Sequence, residues 1–534
     1  MKRNLALLVV GLVLLLALGL TGWSDDSGVL RVTFAWPTYI DPAVGSDFSS
    51  SSSFVNLYDT LVYPDTNGDP LPHVATSWEA SADGLTWTFH LRDDVTFHDG
   101  TPLTAEDVKF SMDRLTTIGE GYAFLFVGRV ESTEVVDAYT VRFHLSQPFG
   151  PFLSTLYRLY ILNKDLVEAN IVKPGPYGDM GDYGKAYLVD HDAGSGPYMV
   201  KEFRVEEELD MIQNPNYWLP IDADAPKEVR FIGTTEPATI RTMMSRHELE
   251  ISDQWQSQEA LQALDGIDGV DIAAFSPGTE FYLMMNTRKP PTDDIHVRRA
   301  MAWATDYATV MEHIFPDAIQ AKGPVPQNLP GADPTVFQFH RDLDKAREEL
   351  AKSKYADELD KYPVEFHWIA EVPDEEKVAL LFMANMADIG IDVKVVKVPW
   401  MSVVDEMAKE ETSPNIVSVF DSSHYPEAGS LLESRYHSSS AATWEQNEWL
   451  LDETLDAMIE DSIATIDRAE RFAKYSEIQQ YIVDLCPTIF LFEQVEKHAY
   501  QAAYVEWPVA NGVVNPVMGY NLAARFIKVH TDRQ

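Results

Sequence analysis

The stretch Ala75–Val95, "ATSWEASADGLTWTFHLRDDV", decides the fold. At its centre Asp83-Gly84 supplies the positive φ of a tight turn. After the turn Leu85, Trp87, Phe89 and Leu91 alternate with Thr86, Thr88, His90 and Arg92. That two-residue period predicts a half-buried strand. A second turn at Asp99-Gly100 leads into "PLTAEDVKF", where Thr104 and Asp107 have the spacing of a capping box that opens a helix. "AYTVRFHLSQPF" repeats the alternation through Val141, Phe143 and Leu145. Together these elements predict a small α+β unit.

Outward from this block the pattern changes. Upstream, "VLRVTFAWPTYIDPA" begins as a β-branched strand and stops at Pro42. The run Ser49–Ser53 leads directly into "FVNLYDTLVYPD" and reads as a solvated loop or helix start inside a domain. Downstream, "DAGSGPYMVKEF" is a glycine-rich turn entering a strand, and "NPNYWLP" ends another. From Thr292 onward helical patterns lengthen. "TIDRAERFAKYSEIQQYIVDLCP" predicts a helix opened by Asp467 and stopped by Pro487. "PVEFHWIA" and "GIDVKVVKV" flank another helix in a βαβ-like unit, so the second half reads as an α/β lobe.

The chain has 534 residues, enough for two or three lobes around large cores. Its 41 basic and 84 acidic residues leave a net charge of −43. A surface of that sign repels phosphate backbones, so nucleic acid is excluded as a partner. Lys2 and Arg3 precede the uncharged run "NLALLVVGLVLLLALGL", which falls short of the roughly 20 residues of a membrane span. A basic start, a short apolar run and then polar residues predict a signal peptide over residues 1–24 and a periplasmic or other extracytoplasmic location. Cys486 is the one cysteine, so no intrachain disulfide forms; its apolar neighbours make it a core residue.

Motifs for chemistry fail one by one. The phosphate loop would need glycine where Asp179 stands, and the hydrolase elbow around Ser195 begins with Ala193. "RHELEIS" has only His247 and Glu248 of the zincin helix, and no metal or cofactor is expected. Aromatic side chains near strand ends are better candidates, because aromatic walls with a few polar groups hold small molecules. Tyr39, Trp255, Trp400, Phe420 and Tyr425 are of this kind.

Several of these pieces together have a familiar look. The 75–95 stretch resembles the signature of the peptide/nickel-binding family of extracellular solute-binding proteins, through Ala75, Asp83, Thr86, Trp87, Phe89, Leu91, Arg92, Asp94 and Val95. "YDTLVYPD", "FHDGTPLTAEDVKFS", "GSGPY", "NPNYW", "HVRRAMAWATD" and "IGIDVKV" follow the family's order. The resemblance implies a cluster-C periplasmic-binding-protein type II fold: two α/β lobes joined by a hinge, plus a small inserted α+β lobe. Lobe I would comprise 29–57, 192–280 and 502–534, the inserted lobe II 58–191, and lobe III 281–501. It further implies a monomeric receptor that passes an oligopeptide-like solute to an ABC permease, with no enzymatic activity.

In peptide-binding members, an aspartate directly before a Tyr-Pro-like dipeptide pairs with the solute's α-ammonium. Here Tyr425-Pro426 follows His424, and the nearest preceding acid is Asp421. A neutral imidazole offers an ammonium no fixed negative charge. Either Asp421 or Glu427 substitutes, or the solute lacks a free amino terminus, as an oligosaccharide does. The expected site is therefore Phe420, Asp421, His424 and Tyr425, with Tyr39, Trp255 and Trp400. A second departure is Trp23, which occupies the position of a lipidated cysteine in "LTGWSDD", so no lipid anchor is expected. The readings of another class are an exported hydrolase, such as a glycosidase using two of the many acids, and an extracytoplasmic chaperone.

Overall fold

The alternating stretch folds as its period predicts. Ala75–Ala80 and Thr86–Leu91 are antiparallel neighbours in a sheet that continues through Thr140–Leu145 to Val130–Asp137. Gly84 takes φ +70° in the turn, and Asp83 Oδ1 accepts from the Leu85 N–H at 3.1 Å. Phe89, Leu91, Val141 and Phe143 are buried while His90 is exposed. Helix Ala105–Ile118 packs on this sheet; the Thr104 N–H donates to Asp107 Oδ2 at 2.9 Å, and Gly119 ends the helix at φ 75°.

The computed structural model describes residues 28–34 and 37–533. The signal peptide expected over 1–24, and Trp23 with it, lies outside them. Among the described residues no helix is long and apolar enough to cross a membrane.

A second sheet is ordered Val29–Phe34, Glu228–Gly233, Glu208–Gln213, Tyr198–Arg204. Of the two readings of the serine run, solvated loop or helix start, the structure has the helix start, and the run is buried rather than solvated. Ser49–Ser53 are buried in helix Phe48–Leu57, whose start is capped by Asp47 Oδ1 accepting from the Ser50 N–H at 2.8 Å. The Ser52 and Ser53 hydroxyls donate to the carbonyls four residues back, at 2.9 and 3.0 Å, which satisfies them without water. Small side chains also admit a close backbone: a Cβ on Gly519, at φ +91°, would stand 2.7 Å from the Ser51 carbonyl carbon.

The third sheet has six strands, ordered Ile319–Gln320, Thr488–Glu493, Glu280–Met285, Ile416–Asp421, Val364–Ile369, Val393–Val398. Val364–Ile369 and Val393–Val398 are parallel and joined by helix Pro373–Ala387, the expected βαβ unit. Alternate residues of Glu280–Met285 feed two cores. Phe281, Leu283 and Met285 enter one, and Tyr282 and Met284 the other. Cys486 is buried at the end of helix Arg468–Leu485, and burial pushes its thiol up to about 11.

Two chain segments run side by side from this sheet into the first body, the one built on the Val29–Phe34 sheet, where Ile251 bridges both Val32 and Tyr500. Asp271–Phe275 pairs with Glu496–Tyr500, and beyond residues 276–279 and 494–495 the same two segments pair again as Glu280–Met285 and Thr488–Glu493. Between the two ladders the Gln494 N–H donates to the Thr279 carbonyl at 2.8 Å. The strand Glu496–Tyr500 is thus the ladder partner of the 271–275 strand.

Helix Ala105–Ile118 is tied to the chain before the serine helix by a buried ion pair. Arg114 has no exposure; Nη1 and Nη2 donate to Asp41 at 2.6 Å each, and Nε donates to the Tyr183 carbonyl at 2.8 Å. Removing one partner of such a pair strands the other charge. Arg114→Ala is expected to lower the unfolding free energy by about 3–5 kcal/mol in a urea titration. Lys109→Ala, which breaks an exposed pair with Asp113 on the same helix, is expected to change it by less than about 1 kcal/mol. Equal losses would show that burial does not set the strength of the Asp41 pair.

Candidate functional site

The strand Ile416–Asp421 delivers Phe420 and Asp421 to a cleft between the six-stranded sheet and the first body. The cleft encloses about 790 Å³ of empty space, open solvent at its mouth included. Phe420 lies 4.4 Å, centroid to centroid, from Phe281 and 5.4 Å from Trp255. Trp255 arrives from the opposite body and is held by its own loop. Its N–H donates to Asp253 Oδ1 at 2.9 Å, and Thr33 Oγ1 donates to Asp253 Oδ2 at 3.1 Å. Burial pushes Asp253 up to about 6.

The far wall is a second aromatic pair. Trp400 opens helix Trp400–Met407, its N–H donating to Glu371 Oε2 at 3.1 Å, and its ring meets Trp444 edge-on at 5.3 Å. The serine helix contributes its N-terminal end, Asp47, Phe48 and Ser49. At the crossing ribbon, Thr279, Ser422 and Glu496 close the base; the Thr279 and Ser422 hydroxyls are 2.7 Å apart.

Glu375, on the first turn of helix Pro373–Ala387, is 1% exposed and lines the same cleft. Its Oε2 accepts from the Ile369 N–H at 2.9 Å and from Ser418 Oγ at 2.8 Å. Its Oε1 has no hydrogen-bond partner. Burial pushes this carboxyl up to about 8, with the Glu371 charge acting in the same direction. Four acids therefore line the cleft, Asp47, Glu375, Asp421 and Glu496; among the described lining residues there is no Lys, Arg or His. Among the described residues no group of three His, Cys, Asp or Glu side chains is placed to hold a metal ion. The arrangement can hold a small molecule between aromatic faces and orient it through a few oxygens.

Residues 69–443 match the family model described as bacterial extracellular solute-binding proteins, family 5 Middle. The chain belongs to family 5 of the bacterial extracellular solute-binding proteins. Among family relatives, the probable D,D-dipeptide-binding periplasmic protein DdpA of Escherichia coli (strain K12) is 30% identical over 491 residues, 90% of each chain. Heme-binding protein A of Haemophilus influenzae is 25% identical over 506 residues, 87% of each chain. The periplasmic binding protein DppA of Helicobacter pylori, solved in complex with the peptide STSA, superposes with a TM-score of 0.82. That match covers 94% of this chain and 98% of the other at 22% identity. The fold is accordingly the α/β periplasmic-binding-protein fold of family 5.

Of the residues expected in the site, this family 5 cleft brings together Phe420, Asp421, Trp255 and Trp400. His424, Tyr425 and Tyr39 stand outside it. His424 has no exposure, lies against the rings of Tyr122 and Phe124, and its Nε2 is 3.0 Å from Glu445 Oε2. Tyr425 is equally buried, against Gly429, and Tyr39 is half-buried on the loop before the serine helix. Glu427, the other proposed substitute for the missing aspartate, pairs with Arg471 at 2.5 Å. Asp421 reaches the cleft but its Oδ2 accepts from Arg435 Nε at 2.8 Å. Asp47, Glu375, Trp444 and Glu496 were not read from the sequence. Trp444 carried a signal, as a lone large aromatic in the polar run "SSSAATWEQNEW".

The buried acids make stability depend on pH in a direction opposite to that of salt-bridged carboxylates. A glutamate normally titrates near 4.5, whereas folded Glu375 and Glu448 are pushed up to about 8 by burial. Between those values the folded chain keeps protons that the unfolded chain has released. The stability is full below about 4.5 and is lost as pH climbs through about 8, by up to about 1.4 kcal/mol per group per pH unit. The melting temperature is expected to fall between pH 5.5 and 8.5, and Glu375→Gln to flatten that slope. A melting temperature that rises over this window in the wild type would contradict the assignment.

Proposed function

We propose that the chain is the extracytoplasmic receptor of an ABC importer, a monomer that captures a small peptide-like solute between its two main bodies and releases it chemically unchanged. The observation that carries this reading is the two-sided cleft. Trp255, Asp47 and Phe48 come from one body, and Phe420, Trp400 and Trp444 from the other. Closure around a solute removes both aromatic pairs from water and makes grip depend on the relative position of the bodies. On the rim, Lys377 Nζ lies 3.3 Å from both oxygens of Glu259, linking helix Pro373–Ala387 to helix Gln258–Asp265 of the facing body. The names of the relatives support the class: DdpA is named a probable D,D-dipeptide-binding periplasmic protein, and the superposed DppA was solved in complex with the peptide STSA. Export by the leader over 1–24, without a lipid at Trp23, completes the reading.

An oligosaccharide is the second reading. Five aromatic side chains, Phe48, Trp255, Trp400, Phe420 and Trp444, suit the apolar faces of sugar rings, and the hydroxyls of Ser49, Thr279 and Ser422 also line the cleft.

Short peptides are expected to raise the melting temperature and to be recovered intact, by mass spectrometry, after prolonged incubation. Trp255→Ala is expected to weaken the best-bound peptide about 30-fold, or about 2 kcal/mol. Cleaved peptide or sugar would favour the hydrolase, and preferential binding of unfolded protein the chaperone. No shift with any peptide or oligosaccharide would overturn the receptor reading.

A further inference from the structure

We propose a second binding site, separate from the cleft: a groove that takes a small monocarboxylate with an apolar tail, the carboxylate on Arg525 and the tail along aromatic and aliphatic walls. The site is independent of what the cleft captures.

The groove runs between the hairpin of Val62–Pro64 and Pro70–Pro72 and the chain from Pro508 to Ile527. It encloses about 1300 Å³ of empty space, open solvent at its mouth included, against about 790 Å³ for the cleft, and no residue lines both. Its two sides are fastened to each other. Asn515 Nδ2 donates to the Pro64 carbonyl at 3.1 Å, and the rings of Tyr63 and Tyr520 meet edge-on at 5.0 Å. Leu71, Val513 and Phe526 line it at 48%, 52% and 50% exposure. Large apolar side chains left half-exposed around one concave surface mark a place where something binds.

The polar end of the groove is set by Arg525, the one Lys or Arg among its described lining residues. Its guanidinium lies 4.5 Å from the Phe526 ring centroid and 4.8 Å from that of Tyr63. Nη1 donates to the Tyr217 hydroxyl at 2.9 Å, and the Tyr63 hydroxyl is its other hydrogen-bonding partner. Both partners are neutral phenols; among the described residues no carboxylate is in salt-bridge contact with Arg525. Asp59, behind Tyr217, is already filled. His73 Nε2 at 2.8 Å, Tyr217 Oη at 2.9 Å, Ser195 Oγ at 3.0 Å and Trp218 Nε1 at 3.0 Å take the four places its oxygens offer. Asp65, the carboxylate that lines the groove, accepts from the Asn67 and Asp69 N–H groups of its own loop at 2.7 and 2.8 Å. Burial holds His73 below its ordinary value, so its imidazole brings no second positive charge. A guanidinium offers five donors in a planar fork that fits a carboxylate, and Arg525 has donors left for one. One cation balances one charge, which favours a monocarboxylate over a phosphate dianion, and the apolar walls beyond it call for a tail.

Titration calorimetry on the full chain with decanoate, acetate and 1-decanol, all below micellar concentrations, tests the site. Decanoate is expected to bind at least about 10-fold more tightly than 1-decanol, and acetate to give no measurable heat. Arg525→Leu removes the guanidinium and keeps an apolar side chain; it is expected to weaken decanoate by at least about 10-fold and 1-decanol far less. Because Arg525 also holds Tyr217, a second variant leaves that network alone. Val513→Glu adds a carboxylate at a half-exposed position of the wall and is expected to weaken decanoate more than the uncharged Val513→Gln does, with both variants folded by circular dichroism. Decanoate and 1-decanol binding equally, or decanoate indifferent to both Arg525→Leu and Val513→Glu, would overturn the inference. So would loss of decanoate on Trp255→Ala but not on Arg525→Leu, which would place it in the cleft. No decanoate binding at all would overturn it too, and would leave peptide capture in the cleft standing.

Discussion

One buried guanidinium holds the floor of the cleft together. Asp421, Glu280 and Glu493 are register partners across three adjacent strands, so the end of the sheet nearest the cleft carries three carboxylates in a row. Like charges directly opposite one another in a sheet repel. Arg435, with no exposure, answers two of them at once and lies 4.1 Å above the Tyr282 ring. The third, Glu493, accepts the Gln327 N–H at 3.1 Å. Arg435 sits on helix Ala428–Tyr436, directly after the loop that follows the Phe420 strand. Its charge therefore fixes a helix, two strand ends and the Pro324 loop in one arrangement. A buried ion pair of this kind gives little net stability relative to an apolar core, but a broken one is strongly destabilising. Its value here is positional, since Phe420 and Asp421 reach the cleft only from that strand end.

The same accounting applies to Asp421, the acid expected to anchor an ammonium. Asp421 is at the cleft, yet its charge is balanced from behind by Arg435. Glu375 is the group with an oxygen to spare, and it comes from a different element, the crossover helix between two parallel strands. Burial pushes its carboxyl up to about 8, so near neutral pH it stands in the cleft wall as an uncharged acid.

What could be read from the sequence divides along physical lines. The strands of the inserted α+β unit were legible because alternation and Asp-Gly turns are local properties. So were the capping box at Thr104 and the βαβ unit. The serine helix was legible only as one of two readings, a helix start or a solvated loop, because a run of five serines has the composition of a linker. Only the approach of Gly519 and the hydroxyl returns to i−4 carbonyls make it a core element. Phe420 and Trp255 were legible as aromatics near strand ends. His424 and Tyr425 carried the same signal and are packed away, against Tyr122 and Phe124 and against Gly429, because which residues of a loop turn inward depends on what the rest of the chain brings to it. Glu375 sits among the acids of an ordinary helix N-terminus, where solvent exposure is the default; its burial is a tertiary fact.

The ribbon of two segments that crosses from the six-stranded sheet to the first body is also part of the cleft wall. It is bonded along both ladders, with residues 276–279 and 494–495 between them, so it resists stretching and yields mainly by torsion. Thr279 and Glu496 flank that flexure and line the cleft. Cargo seated on them touches the joint itself, so a change in the ribbon's twist alters the shape offered to the cargo with no intermediary, and the molecule needs no separate relay to couple occupancy to posture.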